Sequence, residues 1–409
     1  MTQFEETNPE EAGFDPGRLS RISDALNADV DAQKIPGAVV LLARNGKLAW
    51  WRAFGYRDRE ANVSMERDDL FRIASMTKPV TSVAAMILAE RGQLFLPETV
   101  ASVLSEFADA KVSADEPGAQ TLRTVPQVRP MTVHDLLRHT AGLTYGLFGN
   151  SLVKSAYNQA AVFDLRNTNA EMVSKLATIP LAHQPGEVWD YSMATDVLGC
   201  VIEVVSGQSL DEFLREELFI PLGMRETGFV TTPEQAIRMA QPQVHSQSGA
   251  RVPMTDHTVA WPWQSGGGGL YSTAGDYLHF CQMLLDHGRS PNAQILSPAT
   301  IRLMISDHLP AGITWDSYTP ILFEAAAPTR DMGQSFGLGF ALRTHSGVNP
   351  LPGSIGDYFW AGAFGTYFWI DPAEKLIAIF MSQAPELRLH YRYLMRQLVY
   401  QAIELSDRC

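Results

Sequence analysis

The amino-acid sequence predicts an α/β protein of the α+β type, in which an antiparallel sheet flanked by helices is joined to a mainly helical domain. The first observation is a hairpin pattern near the N-terminus. Residues 37–43 (GAVVLLA) and 47–56 (KLAWWRAFGY) are two runs rich in strand-forming residues. Between them lies Asn45-Gly46, the strongest short-range hairpin signal in a sequence. We therefore expect two antiparallel strands here, preceded by a surface helix over residues 16–30.

A second pair of strand candidates lies near the C-terminus. Residues 367–370 (YFWI) and 376–381 (LIAIFM) are apolar runs separated by Asp371-Pro372, a turn-forming dipeptide. An amphipathic pattern over residues 388–405 predicts a final helix.

The stretch between these strand pairs is mainly helical in pattern. Residues 75–91 carry an apolar face and end before Gly92, a typical helix stop. Further helices are expected over residues 133–139, 194–205 and 276–285, and the last follows a glycine run at 266–269. Strands at both ends with helices between them predict two domains. We expect a discontinuous α/β domain (1–85 and 260–409) and a mainly helical inserted domain (86–259).

Composition excludes several classes of protein. The chain has 409 residues, of which 45% are hydrophobic and 19% charged, which is typical of a globular protein with a large core. A net charge of -13 repels phosphate backbones and anionic lipid, so neither nucleic acid nor membrane is an expected partner. The N-terminus lacks a secretory pattern, and no apolar stretch reaches the length of a membrane helix. We expect a cytoplasmic protein; oligomeric state has no signal in the sequence.

The cysteines give no sign of a metal site. Cys200, Cys281 and Cys409 are an odd, sparse set without C-x-x-C spacing, which argues against a disulfide framework or a zinc site. The glycine run lacks the G-K-[ST] ending of a phosphate-binding loop, and H-E-x-x-H is absent. We therefore expect no cofactor and no metal.

The strongest chemical signal is Ser75-Met76-Thr77-Lys78, an S-x-x-K motif at the start of a predicted helix. Positions three apart on a helix share a face, so the Lys78 amine can reach the Ser75 hydroxyl and act as its base. The positive end of the helix dipole favours a neutral amine and also stabilises an oxyanion. The other interpretation is that Ser75 caps the helix. A second copy, Ser151 to Lys154, follows an irregular stretch without a hairpin ahead of it, and we interpret it as chance.

Further motifs in a fixed order make the chain similar to the serine β-lactamase and penicillin-binding-protein superfamily. Within it, the chain most resembles the carboxylesterases (family VIII) and acyltransferases that share the class C β-lactamase fold. The resemblance spans nearly the whole chain and implies that Ser75 is the nucleophile and Lys78 its base. The matching stretches are IPGAVVLLARNGKL from Ile35, LFRIASMTKPV from Leu70, LLRHTAGL from Leu136, PGEVWDYSMATDVLG from Pro185, PLGMRETGF from Pro221, GGGGLYSTAGDYL from Gly266, FGLGF from Phe336 and WAGAFGTYFWIDP from Trp360.

The family's Y-x-N element corresponds to Tyr191-Ser192-Met193. The resemblance implies that the Tyr191 hydroxyl bonds Ser75 and Lys78 and shuttles the proton to the leaving group; otherwise Tyr191 is a core tyrosine ahead of a helix. Met193 replaces the asparagine that contacts the substrate amide in β-lactamases, which argues against β-lactam hydrolysis.

The family's Lys-Thr-Gly element corresponds to Trp360-Ala361-Gly362. The resemblance implies that the Ala363 N–H supplies the second oxyanion donor, and Gly362 lets the backbone approach a ligand closely. Trp360 replaces the cation that binds a penicillin carboxylate and is expected to offer an apolar wall to neutral esters.

Other residues near these motifs have two interpretations. Three aromatic residues either line the acyl pocket or pack in the core: Tyr145, Phe148 and Phe364. His139 suggests a Ser-His-Asp triad, but a structural histidine is the better interpretation, and no G-x-S-x-G motif occurs.

Together these patterns favour a carboxylesterase that forms an acyl-enzyme on Ser75 and takes a small-molecule ester as substrate. The alternatives are an acyltransferase of the same fold, a β-lactamase or D-alanyl peptidase, and a non-catalytic sensor.

Overall fold

The computed structural model describes residues 5–114, 120–244 and 246–404. Over those residues the strands are β1 (Gly37–Arg44), β2 (Lys47–Asp58), β3 (Val63–Ser64), β4 (Phe71–Arg72), β5 (Lys111–Ser113), β6 (Thr124–Pro126), β7 (Val188–Trp189), β8 (Tyr271–Ser272), β9 (Thr314–Trp315), β10 (Gln334–Phe336), β11 (Ala341–Arg343), β12 (Tyr358–Ala361), β13 (Tyr367–Asp371) and β14 (Leu376–Ser382).

The α-helices alternate with these strands and concentrate in the middle of the chain. They are α1 (Pro16–Asp31), α2 (Thr77–Glu90), α3 (Val100–Val103), α4 (Val133–Leu137), α5 (Leu152–Gln159), α6 (Asn169–Ala177), α7 (Ala194–Ser206), α8 (Leu210–Leu214), α9 (Ile220–Leu222), α10 (Pro233–Ile237), α11 (Ala274–Leu285), α12 (Pro298–Met304), α13 (Thr319–Phe323) and α14 (Arg388–Tyr400).

Strands from both ends of the chain form one antiparallel sheet of eight strands, in the order β10-β11-β12-β13-β14-β1-β2-β3. The first strand, β1, lies inside the sheet, where Val40 faces Arg52 of β2 and Phe380 of β14. Every residue of β1 is buried, as expected for a strand covered on both faces. This arrangement confirms the predicted antiparallel sheet and its two hairpins.

Helices cover both faces of the sheet. On β13, Trp369 stacks on Tyr400 of α14, while its neighbour Phe368 contacts Tyr277 of α11. Neighbouring side chains of a strand point to opposite faces, so α14 and α11 lie on opposite sides. The layers place the start of α2 beside the turn between β12 and β13, which is where the site lies.

Several element boundaries differ from the prediction. The helix expected over residues 75–91 begins with a 3₁₀ turn (Ala74–Met76), so the α-helix starts at Thr77. The helix expected over 133–139 ends at Leu137, because the backbone of His139 is left-handed with φ of 58°. The final helix ends at Tyr400, and residue 405 lies outside the described part.

The middle of the chain is mainly helical but contains the short strands β5, β6 and β7. One apolar core runs through the sheet and the helical region without a break. The expected boundary between an α/β domain (1–85 and 260–409) and a helical domain (86–259) stays a prediction. Within the described residues, no helix has both the length and the apolar character needed to cross a bilayer.

Candidate active site

Ser75 lies in the 3₁₀ turn that leads into α2, at the edge of a cavity. Its predecessor Ala74 has a φ of 44°, which is unusual for a residue with a side chain and stores backbone strain at this point. The turn is attached to the sheet, because the Thr366 hydroxyl donates to the Ile73 carbonyl at 3.2 Å. The serine is therefore presented on a rigid support.

Lys78 is buried below Ser75, with only 1% of its surface exposed. Its amine nitrogen lies 3.5 Å from Ser75 Oγ, which confirms that the two ends of the S-x-x-K motif meet. The same nitrogen donates to the Gly267 carbonyl at 2.6 Å and to the Tyr145 hydroxyl at 3.0 Å. The glycine run therefore serves as a support for Lys78.

Tyr191 approaches Lys78 with its ring and not with its hydroxyl. The Lys78 nitrogen lies 4.6 Å from the ring centroid, within the range of a cation–π contact. The structure shows no hydrogen bond to the Tyr191 hydroxyl from any residue that it describes. The hydroxyl contact with Lys78 that the resemblance assigns to Tyr191 is made by Tyr145 instead.

The turn after β12 brings Ala363 to the cavity wall that also contains Ser75. Gly362 is buried, and a Cβ at this position would lie 2.1 Å from Thr366 Oγ1 and 2.4 Å from the Ile73 carbonyl oxygen. Only glycine fits there, because no side-chain carbon can approach these oxygens so closely. Its N–H donates to the Thr366 carbonyl at 2.8 Å, which fixes the turn.

Trp360 lies elsewhere than expected. Its side chain is 2% exposed and lies behind Tyr191, with their ring centroids 5.4 Å apart. It also packs against Phe323 and Phe336 at 5.4 and 5.3 Å. Because Trp360 is not among the residues that line the cavity, it supports Tyr191 and offers no wall to a ligand.

The cavity beside Ser75 has a volume of about 290 Å³ and a largely aromatic lining. Tyr145 and Phe148, both expected at the pocket, line it, whereas Phe364 is half-buried on the nearby turn outside the lining. Further lining residues were not anticipated from the sequence: Phe163, Leu165, Phe229, Thr255, His257, Trp261 and Trp263. Phe229 ends the matched stretch that begins at Pro221, and the others lie in loops outside the matched stretches.

Asp196 is the acidic residue among those that line the cavity, and no motif predicted it. It lies in the first turn of α7, is 2% exposed and lines the cavity. Burial raises its pKa, and the charge of Lys78 and hydrogen bonds from Ser265 and Gly267 oppose this effect. A carboxylate at the start of an apolar helix was the available signal.

His139 does not form a triad. It is buried, and its Nδ1 lies 3.2 Å from the hydroxyl of Ser192 and 3.4 Å from that residue's N–H, which donates to it. Burial lowers its pKa well below the usual value, and the nearby charge of Lys78 acts in the same direction. A neutral histidine bonded to Ser192 and packed on the ring of Tyr191 matches the structural interpretation.

The second S-x-x-K copy has a structural role. The Ser151 hydroxyl caps α5 by accepting from the Lys154 N–H at 3.2 Å. The Lys154 amine lies 3.6 Å from Asp316 and over the ring of Tyr318. Ser151 therefore provides a matched control for Ser75.

Known proteins share this fold and much of this sequence. The beta-lactamase family model matches residues 22–399. An uncharacterised protein of Mycobacterium tuberculosis is 36% identical over 364 residues, covering 87% of this chain and 88% of its own. Esterase EstB of Burkholderia gladioli is 31% identical over 401 residues, covering 91% and 94%. The solved structure of EstCE1, described as a hydrolase with promiscuous acyltransferase activity, is 28% identical with a TM-score of 0.79, covering 94% and 99%. The chain belongs to the beta-lactamase family, a family of serine hydrolases and acyltransferases in which its relatives include esterases.

Proposed function

We propose that the protein is a carboxylesterase that cleaves small, neutral esters through an acyl-enzyme on Ser75. The observation that carries the proposal is the 3.5 Å approach of Lys78 Nζ to Ser75 Oγ at the wall of an apolar cavity. Similarity to esterase EstB, at 31% identity over nearly the whole chain, supports the same reaction class.

The mechanism follows from this geometry. Ser75 Oγ attacks the ester carbonyl carbon as its proton passes to the Lys78 amine. The backbone N–H groups of Ser75 and Ala363, which border the same cavity, stabilise the oxyanion. The proton then passes from Lys78 to the departing alcohol. The resemblance implies that the Tyr191 hydroxyl, on the same cavity wall, relays it, although Tyr191 presents its ring to Lys78 before a substrate binds. Water attacks the acyl-enzyme by the reverse proton route and releases the acid.

The cavity favours an ester over a β-lactam. Its lining is mostly apolar and, among the described residues, lacks a lysine or arginine that would bind a substrate carboxylate. Met193 is fully buried and therefore takes no part in binding a substrate amide.

The test compares hydrolysis of p-nitrophenyl butyrate and of a chromogenic cephalosporin by the wild type, Ser75→Ala and Ser151→Ala. We expect rapid ester turnover by the wild type, little cephalosporin cleavage, and loss of ester turnover in Ser75→Ala. Ser151→Ala removes a helix cap, so it should lose about 1 kcal/mol of stability and keep its activity. Ester turnover that survives Ser75→Ala would exclude this serine as the nucleophile.

Acyl transfer to an alcohol is the second candidate, favoured by the similarity to EstCE1. The acyl-enzyme is the same, and only the acceptor differs. Adding a primary alcohol to the assay and measuring the new ester by chromatography separates the two outcomes. Transfer that exceeds hydrolysis at low alcohol concentration would make the protein an acyltransferase.

A further inference from the structure

Asp196 is a carboxylate that is buried at the wall of the cavity. A carboxylate removed from water is costly unless hydrogen bonds and a nearby positive charge stabilise it. Ser265 and Gly267 donate to Asp196, and Lys78 supplies the positive charge when its amine is protonated, as it is after taking the Ser75 proton. Tyr145 is the other titratable group facing it, across the cavity floor.

The carboxylate fixes the loop that supports Lys78. Its Oδ1 accepts from the Ser265 hydroxyl at 2.5 Å and from the Gly267 N–H at 3.0 Å. A Cβ on Gly267 would lie 2.3 Å from Asp196 Oδ2, so the carboxylate approaches this backbone as only glycine allows. The carbonyl of the same glycine accepts from Lys78 at 2.6 Å. Gly267 thus links Asp196 to Lys78, through its N–H on one side and its carbonyl on the other.

The carboxylate also acts on Tyr145. Burial raises the pKa of Tyr145 well above its usual value, and the charge of Asp196 adds to that effect. Tyr145 therefore keeps its proton. Its oxygen lone pairs remain available to accept from Lys78 at 3.0 Å.

A neutral amine has two N–H donors and one lone pair. The two acceptors of Lys78, the Gly267 carbonyl and the Tyr145 oxygen, take both donors, which leaves the lone pair for Ser75 Oγ. We propose that Asp196 is a positioning residue that holds the Gly267 carbonyl against Lys78 and so directs the Lys78 lone pair at Ser75. This role rests on the proposed function of Ser75 and Lys78.

The proposal accounts for the proton at each stage. When Ser75 Oγ bonds to the carbonyl carbon, its proton moves to Lys78 and the amine becomes an ammonium. Two of its three N–H groups stay on Gly267 and Tyr145, and the third points to the reacting oxygen. The Asp196 carboxylate stabilises the ammonium by its charge.

The test measures how fast a fluorophosphonate probe labels Ser75, from about pH 5 to about pH 9. Asp196→Asn is expected to slow labelling about 10-fold or more, because the amide oxygen can still accept from Ser265 and Gly267 but the charge that stabilises the Lys78 ammonium is lost. It should also move the acidic limb of the pH profile to lower pH, since the ammonium form loses a neighbouring anion. If Asp196 had only a structural role, Asp196→Asn would lower the yield of folded protein and leave the acidic limb of the pH profile at its wild-type position.

Asp276→Asn is the matched control, because Asp276 is also a buried aspartate in the first turn of a helix but is bonded to Glu226 and Thr227. It should label at the wild-type rate. If Asp196→Asn fails to fold, Ser265→Ala removes one donor to the carboxylate and should slow labelling about 3-fold.

A folded Asp196→Asn with the wild-type rate and pH profile would overturn the proposal, as would an unchanged rate in Ser265→Ala. Failure of the esterase proposal gives a different result. In that case the wild type is labelled at Ser75 but hydrolyses no ester, and the labelling rates still decide the role of Asp196. A wild type that is not labelled overturns both proposals.

Discussion

The amine of Lys78 donates to the hydroxyl of Tyr145 at 3.0 Å, so the amine that we propose as the base is held by a tyrosine that precedes Tyr191 by 46 positions in the chain. Tyr191 presents its ring to the same nitrogen. We therefore propose separable roles for the two tyrosines: Tyr145 orients Lys78, and Tyr191 offers its hydroxyl to the leaving group.

Replacement of either tyrosine by phenylalanine separates these roles. Tyr191→Phe should lower kcat by about 100-fold or more with little change in KM, which is the usual loss when a proton-transfer group is removed. Tyr145→Phe keeps the ring and loses one acceptor of Lys78, so its kcat should fall about 10-fold. Steady-state kinetics with p-nitrophenyl butyrate measure both. A larger loss in Tyr145→Phe would place the proton route through Tyr145.

Trp360 should affect stability more than substrate binding. Trp360→Ala removes a buried ring from the cluster of Tyr191, Phe323 and Phe336, which should lower the free energy of unfolding by about 3–5 kcal/mol. Urea denaturation measures that loss. The conservative Trp360→Phe should keep the KM for p-nitrophenyl butyrate. A several-fold rise in KM with unchanged stability would show instead that Trp360 contacts the substrate.

The parts of the site that could be predicted are those whose residues lie close together in the chain. Ser75 and Lys78 are three residues apart on one helix, so their meeting follows from helix geometry. The hairpin of β1 and β2 follows from alternating strand and turn signals. Trp360 was misjudged because its neighbours Tyr191 and Phe323 are distant in sequence, and only the fold decides which face of β12 meets them. Asp196 was missed because its partners Ser265 and Gly267 lie in a loop some 70 residues away.

The aromatic lining should set the length of the acyl group. Phe163 stacks on Tyr145 with ring centroids 5.8 Å apart and lines the cavity, so Phe163→Ala extends the space beside Ser75. The ratio of kcat/KM for p-nitrophenyl octanoate over butyrate should rise about 10-fold, the usual effect of a methylene or two in an apolar pocket. The exposed Phe95→Ala is the control and should leave the ratio unchanged. An unchanged ratio in Phe163→Ala would mean that the acyl chain lies elsewhere.

Asp276 should make stability depend on pH in a direction opposite to that of most acids. Burial raises its pKa from 3.8 to about 6, and hydrogen bonds from Glu226 and Thr227 only partly oppose this. The folded protein therefore holds a proton that the unfolded chain has already released between these two values, so stability falls as the pH rises through this window. The loss is about 3 kcal/mol when complete above pH 6.

Asp276→Asn keeps an acceptor for Glu226 and Thr227 but cannot ionise. Urea denaturation at about pH 4 and about pH 7 should show the variant gaining about 2.4 kcal/mol relative to the wild type between the two conditions, because part of the loss has already occurred at pH 4. A difference between the two proteins that stays constant with pH would show that Asp276 ionises equally easily in the folded and unfolded states.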